Sequence, residues 1–267
     1  MRSLGISLAF ALFLVVLIPA AESAQKDGLA ARVAQLEAQV AAMEEILQFV
    51  HVETEMINRL AGPHWIIEGA NVHVRSGSGD THDGCVPDEP DYPMCESLTG
   101  LGNVIVGYNE VTRRGIPIRS GSHNVVVGRG HRYRSFGGLI AGESNTIYGA
   151  SASVSGGQGG SARGDFSSVS GGLGGVAIGE SSSVSGGAGG VASGHSSSVS
   201  GGISGAASGH YSSVSGGMSG AASGDRSSVS GGFRNTASGD FSSVSGGDER
   251  DAPDDFSWAA GSLFEEN

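Results

Sequence analysis

The side chains best suited to chemistry fall in two loops of opposite charge. Residues 80–96 contain Asp80, His82, Asp83, Asp88, Glu89, Asp91 and Glu96 and no basic residue. Carboxylate oxygens gathered in a short loop are the donor type that calcium takes, which makes Asp80, Asp83, Asp88 and Asp91 its candidates. The loop lacks the ordered ligand spacing of an EF-hand, so a solvated acidic loop is the plainer reading, and no cofactor or metal is expected. Cys85 and Cys95 are the only cysteines and sit ten residues apart in the same loop. In an exported chain they read as a disulfide that closes the insert.

The second loop region, 113–134, carries Arg113, Arg114, Arg119, Arg129, Arg132 and Arg134, with His123 and His131 and no acid. A belt of guanidinium groups suits an anionic glycan or a lipid headgroup. It suits equally well pairing with the acidic insert of the same or a neighbouring subunit, which is the plainer reading. Arg163-Gly164-Asp165 spells an integrin-type tripeptide, but the parallel stretch Ser238-Gly239-Asp240 differs only at the arginine, so chance explains it. Signs of catalysis are scarce. The chain has no Gly-x-Ser-x-Gly elbow, no Gly-x-x-x-x-Gly-Lys phosphate loop and no His-Glu-x-x-His. Its serines sit in ladders whose hydroxyls can bond along a stack, which argues against a nucleophile among them. The chain is expected not to be an enzyme.

These loops interrupt a repeat of unusual regularity. Val154, Val169, Val184, Val199, Val214, Val229 and Val244 recur every 15 residues, each opening Val-Ser-Gly-Gly. Counting the valine as position one, Ala162, Ala177, Ala192, Ala207, Ala222 and Ala237 hold position nine, with a glycine two residues later. One small unit stacked many times, two short strands joined by glycine bends, is a β-solenoid. Alternation along each strand turns the valines and alanines inward and the flanking serines outward. Gly or Asn at position seven (Gly160, Gly175, Asn145, Asn235) suggests a left-handed corner. Position five (Leu173, Ala188, Ile203, Met218, Phe233) is more apolar than an exposed column needs. It is expected either to touch other subunits or to pack as a lateral groove within the chain. Irregular rungs start at Asn71, Asn103 and Asn124, giving twelve rungs in all, with insertions over about 75–100 and 108–122.

With 47 glycines in 267 residues and few large apolar side chains, each rung buries little, so stacking and association between chains must supply stability. Arg2, the apolar run 4–19 and the small residues 21–24 read as an export signal over 1–24. Residues 25–62 then hold a heptad seam. Leu29, Leu36, Met43, Val50 and Ile57 alternate with Val33, Val40, Leu47 and Thr54, which predicts a coiled coil that Gly62-Pro63 ends. The formal net charge of −12 disfavours nucleic acid as a partner. The expected order is signal 1–24, coiled-coil stalk 25–62, irregular rungs 63–138, regular solenoid 139–247 and an acidic cap 248–267 in which Trp258, Leu263 and Phe264 cover the last rung.

Rungs such as Asn103-Val104-Ile105-Val106-Gly107, followed by strands such as Ala177-Ile178-Gly179, resemble the head repeats of YadA-like trimeric autotransporter adhesins over roughly 66–262. The resemblance implies a left-handed β-roll, a homotrimer continued by a coiled coil, and adhesion at the surface of a Gram-negative bacterium, with a glycan or a host matrix protein as partner. Three features depart from that family: the period is 15 rather than 14, the coiled coil precedes the repeats, and no membrane-anchor segment follows them. The family's secretion route is therefore not expected to carry over. The fold class expected is mainly β, a glycine-rich solenoid of 14–15-residue rungs, trimeric, behind a helical stalk. The expected function is an exported, non-enzymatic structural or adhesin-like rod. A repeat face that binds ice or glycan is the alternative, and a secreted β-helix enzyme a second one.

Overall fold

The computed structural model describes residues 28–83, 85, 98–111 and 118–261, so the expected export segment lies outside the described residues. The chain divides into two compact units, Met1–Val72 and His73–Asn267.

In the first unit a helix, α1, spans 28–47. Its 20 residues make it about 30 Å long. The seam residues Leu29, Val33, Leu36, Val40, Met43 and Leu47 are all solvent-exposed in the single chain. The helix stops well before Ile57, where the heptads were expected to run. Strand β1 (Val50–Glu53) follows and pairs antiparallel with β2 (His64–Ile67), from Val50 opposite Ile67 to Glu53 opposite His64. The reason lies in residue type. Phe49, Val50 and Val52 lose rotamer freedom in a helix and favour a pleated surface, and Trp65-Ile66-Ile67 supplies a partner strand of the same kind.

The second unit is a parallel β-solenoid. In chain order its first strands are β3 (Val104–Val106), β4 (Val125–Arg129), β5 (Arg132–Tyr133), β6 (Leu139–Glu143), β7 (Thr146–Ile147), β8 (Ser153–Val154) and β9 (Ser161–Ala162). The same alternation then repeats to Trp258–Ala259. Among the described residues the strands form two parallel sheets: eleven strands beginning with β3, β4, β6 and β8, and nine beginning with β5, β7 and β9. Register is kept throughout, Val169 beside Val184 in one sheet and Ala177 beside Ala192 in the other. The result is nine complete rungs. The twelfth rung expected at Asn71–Val74 is absent. Val72 and Val74 are exposed, and although Gly77 and Gly79 bend the chain, no strand forms between 71 and 83 among the described residues.

The seven valines and six alanines of the repeat are 0–1% exposed and form one continuous core. At the N-terminal end the same columns widen to Val126, Tyr133, Ile140 and Ile147. Position fourteen is also interior. Ser167, Ser182, Ser197, Ser212, Ser227 and Ser242 are buried, and their hydroxyls have no hydrogen-bond partner. The expected bonding of serines along the stack therefore fails at this column. Serine serves there as a small residue, in line with Ala152 one rung earlier.

The left-handed corners lie at positions four, six and thirteen rather than seven. Gly172 (φ 81°), Gly174 (φ 67°) and Ser181 (φ 55°) represent them. Position seven instead faces inward. A side chain on Gly160 would touch the methyls of Val154 and Val169, and where Asn replaces Gly it clamps two rungs together. Asn145 Oδ1 accepts the Gly160 N–H at 2.8 Å and Asn235 Oδ1 that of Arg250 at 2.9 Å.

The period has a simple origin. From Val126 to Ile140 to Val154 the rungs are 14 residues long, and the first-sheet strand runs unbroken for five residues, as in β4 and β6. The later rungs insert one glycine after the outward serine, Gly156 being the first. This cuts the strand to two residues plus a separate bridge at position five, such as Gln158 to Leu173.

In the regular rungs two glycine columns cannot be relaxed, although Ser135 takes the second column's place one rung before Gly149. A Cβ on Gly172 would overlap the carbonyl of Gly187, and one on Gly209 the carbonyl of Gly224. At the C-terminal end the second column reads Asp254, whose backbone lies against Gly239 with no described rung stacked beyond it. The C-terminal region stays in phase with the repeats over its described residues, Asp251 beside Thr236 and Trp258 beside Ser243. Trp258 takes an outward position, and Leu263 and Phe264 lie outside the described residues. Gly209→Ala should therefore lower stability by about 3 kcal/mol or more, while Asp254→Ala should stay within about 0.5 kcal/mol. Denaturant unfolding of the two variants checks this, and equal stability would contradict it.

Candidate functional site

The arginine belt does not act as one unit. Arg113 and Arg114 lie outside the described residues. Arg119 is structural: its Nε donates to the His131 carbonyl at 3.3 Å, and its Nη2 donates to the backbone and side-chain oxygens of Asn109. That guanidinium holds the second insertion, whose Ile118 and Gly121 hydrogen-bond along β5. His131 behind it is fully buried, and burial pushes its pKa down. Nε2–H donates to Val127 O at 3.0 Å while Nδ1 accepts the Asn145 N–H at 3.3 Å, the pattern of a neutral ring. Arg129 pairs with Glu143 at 2.9 Å on the surface.

Arg132 and Arg134 point outward from β5 because Tyr133 between them is buried. One rung on, Thr146 and Tyr148 flank the buried Ile147, and on the next Ser161 and Arg163 flank Ala162. The Arg134 guanidinium lies 5.6 Å from the centre of the Tyr148 ring. Arg163 Nε donates to Ser161 Oγ at 3.1 Å. Together these strands line a groove of about 190 Å³ whose walls, among the described residues, are arginines, hydroxyls and glycine backbone, with no carboxylate. Arg163 belongs to this group although it lies 29 residues beyond Arg134, since two rungs of stacking bring it there.

A second, open cleft of about 650 Å³ lies across positions four and five at the N-terminal end of the first sheet. Glycines 107, 128, 142 and 157 form its floor, and Tyr108, Glu110, Arg129, Glu143 and Gln158 its walls. Tyr108 is 97% exposed, an aromatic face open to solvent. Its charges are mixed, Arg129 being committed to Glu143.

Of the calcium candidates, Asp88 and Asp91 lie outside the described residues, and Asp80 is exposed. Asp83 is buried with its carboxylate already occupied. Oδ1 accepts the Ser76 hydroxyl at 2.6 Å, and Oδ2 accepts both the amide and the hydroxyl of Thr99 at 2.6 Å. Burial alone would raise its pKa. The donated hydrogen bonds outweigh that and hold it far below the usual carboxylate range. Among the described residues no three His, Cys, Asp or Glu side chains are gathered as metal ligands. Asp83 thus ties the first insertion together, and Ser76 N–H extends the tie to His123 Nε2 at 3.1 Å. Cys85 is buried against Phe136 and Ala150, while Cys95 lies outside the described residues.

The integrin-type tripeptide has a plain structural role. Asp165 Oδ1 accepts the Ala150 N–H at 2.7 Å, as Asp225, Asp240 and Asp255 do for the residue one rung earlier. Position thirteen beside it forms an exposed ladder. Arg226 lies between the rings of Tyr211 and Phe241, and Phe241 stacks on Phe256 at 5.0 Å. No known protein-family model matches the chain, and no curated protein shows significant similarity to it.

Because the folded-state acidity of Asp83 exceeds that of a free carboxyl, its contribution to stability is complete above about pH 4 and fades as pH falls below that. At neutral pH Asp83→Ala should cost about 3 kcal/mol by stranding its donors, and the variant's stability should vary less with pH below 4 than the wild type's. Denaturant unfolding at pH 7 and pH 3 tests it; identical acid sensitivity of the two proteins would exclude the assignment.

Proposed function

We propose that the chain is an exported, non-enzymatic surface rod, three copies associating through the solenoid and through a coiled coil begun by α1. The observation that carries this reading is the position-five column. Leu173, Ile203, Met218 and Phe233 stand in register along one edge and are 36–56% exposed in the single chain. Contiguous apolar surface of this kind marks an interface. Two further surfaces support it. The outward residues Val104, Val106, Val125, Val127 and Leu139 form an apolar patch on β3, β4 and β6, and α1 carries an exposed apolar stripe. The solenoid interior is filled by side chains, so working surfaces must lie on its outside.

Adhesion to a glycan or matrix protein follows from the resemblance to YadA-like heads and suits a rigid, repetitive body that presents the same surface many times. Localisation at a bacterial cell surface belongs to the same reading. A second reading, ice binding by a repeat face, is favoured only by the two outward serine columns of the first sheet, such as Ser168 and Ser170; thermal hysteresis in the purified protein would be its signature.

The mass of the mature protein in solution tests the assembly. The reading expects three chains, and it expects Ile203→Glu combined with Phe233→Glu to weaken the assembly toward single chains. A single chain at micromolar concentration with native β content would overturn it.

A further inference from the structure

We propose that the groove bounded by Arg132, Arg163 and the Arg134–Tyr148 pair binds an acidic polysaccharide, taking one sulfate or carboxylate group of the sugar at a time. The inference supplies a ligand class for the surface-rod reading. The groove itself is built within one chain, so its occupancy does not depend on how many chains associate.

Geometry and charge both point this way. Three consecutive strands of the second sheet, β5, β7 and β9, hold the contributing side chains in fixed register, Arg132 beside Thr146 beside Ser161. Such a face is rigid, because Tyr133, Ile147 and Ala162 anchor each strand in the core. Arg163 is oriented by its bond to Ser161, and Arg134 by its contact with the Tyr148 ring. In a chain of net charge −12, a groove with two arginines in its wall, a third at its rim and no carboxylate among the described residues that line it is a local reversal of sign. Guanidinium forks match planar and tetrahedral oxyanions in bidentate fashion, which lysine would not do.

The remaining walls decide between kinds of ligand. Ser144, Thr146, Tyr148 and Ser161 offer hydroxyls at the groove, and no large aliphatic side chain lines it among the described residues. Hydroxyl-rich walls suit sugar hydroxyls, whereas a membrane surface would call for apolar residues able to enter the acyl region. A volume of about 190 Å³ admits one anionic substituent rather than a polymer segment. Affinity for a long chain would then come from several grooves engaged together, which is where association of chains would add avidity.

The experiment is calorimetric titration of the mature protein with a heparin oligosaccharide, with its desulfated form, with inorganic phosphate and with phosphatidylglycerol vesicles. Saturable heparin binding that weakens with added salt is expected, along with at least a tenfold loss on desulfation and weak competition by phosphate. Arg134→Gln combined with Arg163→Gln should reduce heparin affinity at least tenfold. Arg226→Gln combined with Arg234→Gln removes the same charge far along the solenoid and should leave it within twofold. If the first variant unfolds, hydrogen exchange on the unmutated chain decides instead, with heparin-induced protection over 130–163 and none over 226–241. Equal losses in both variants, vesicle binding without heparin binding, or no binding of heparin would each overturn the proposal, and none of them would alter the mass that tests the assembly.

Discussion

Successive rungs of this solenoid meet backbone to backbone at two glycine columns, and the rest of the architecture adapts to that contact. At position four the carbonyl of the next rung sits where a Cβ would be, and the backbone is left-handed as well, as at Gly187 (φ 75°). At position eleven the dihedral angles are ordinary and only space forbids a side chain, as at Gly194. Among the regular rungs Asp254 marks the difference, for it occupies the second column where no described rung follows. In the regular rungs, close contact on both bends keeps adjacent strands in hydrogen-bonding register and leaves an interior filled by Val, Ala and Ser with Asn235 at position seven. Charged and aromatic residues of those rungs are displaced to the corners and outer faces.

A thin interior has consequences for function. With little apolar surface buried per rung, the larger apolar residues appear on edges, where they are available to other chains. Polar chemistry is confined likewise. Where a polar group is buried and matched, it fixes the ends of the structure: Asp83 binds the first insertion, Arg119 and His131 the second, and Asn145 and Asn235 link neighbouring rungs. Where it is buried and unmatched, as at Ser197, the side chain is tolerated for its size. The groove on the second sheet differs in place, its arginines standing on the outer face of strands whose alternate residues form the core.

Much of the fold was legible because identical chemistry recurs at identical spacing. Val154 and Ala162 announce an inward face, and fifteen residues later the same statement is repeated. Legibility failed where one pattern serves two structures. Val50 and Val52 satisfy a heptad seam and a β alternation equally, and only the partner strand at Trp65–Ile67 decides. Gly and Asn share position seven, which reads as a left-handed corner; the actual reason is that one leaves room beside valine methyls and the other bonds two rungs. Of the candidate site, the belt was visible as a linear run, but its division was not. Arg119 turns inward to carbonyls, Arg129 to Glu143, and Arg132 and Arg134 join Arg163, a grouping that depends on rung stacking rather than proximity along the chain. The role of Asp83 was hidden for a similar reason: Thr99 lies 16 residues away across the insertion.

Residue-resolved hydrogen exchange is the most direct test of stacked rungs held by these glycine contacts. In each regular rung the amides at positions fifteen, two, five, eight and ten donate to the next rung, as Ser168, Ser170, Leu173, Val176 and Ile178 do. Protection should therefore recur with a 15-residue period from about 153 to 245 and be absent at intervening amides that face solvent. Uniformly fast exchange across the repeats, or protection without that period, would contradict the account.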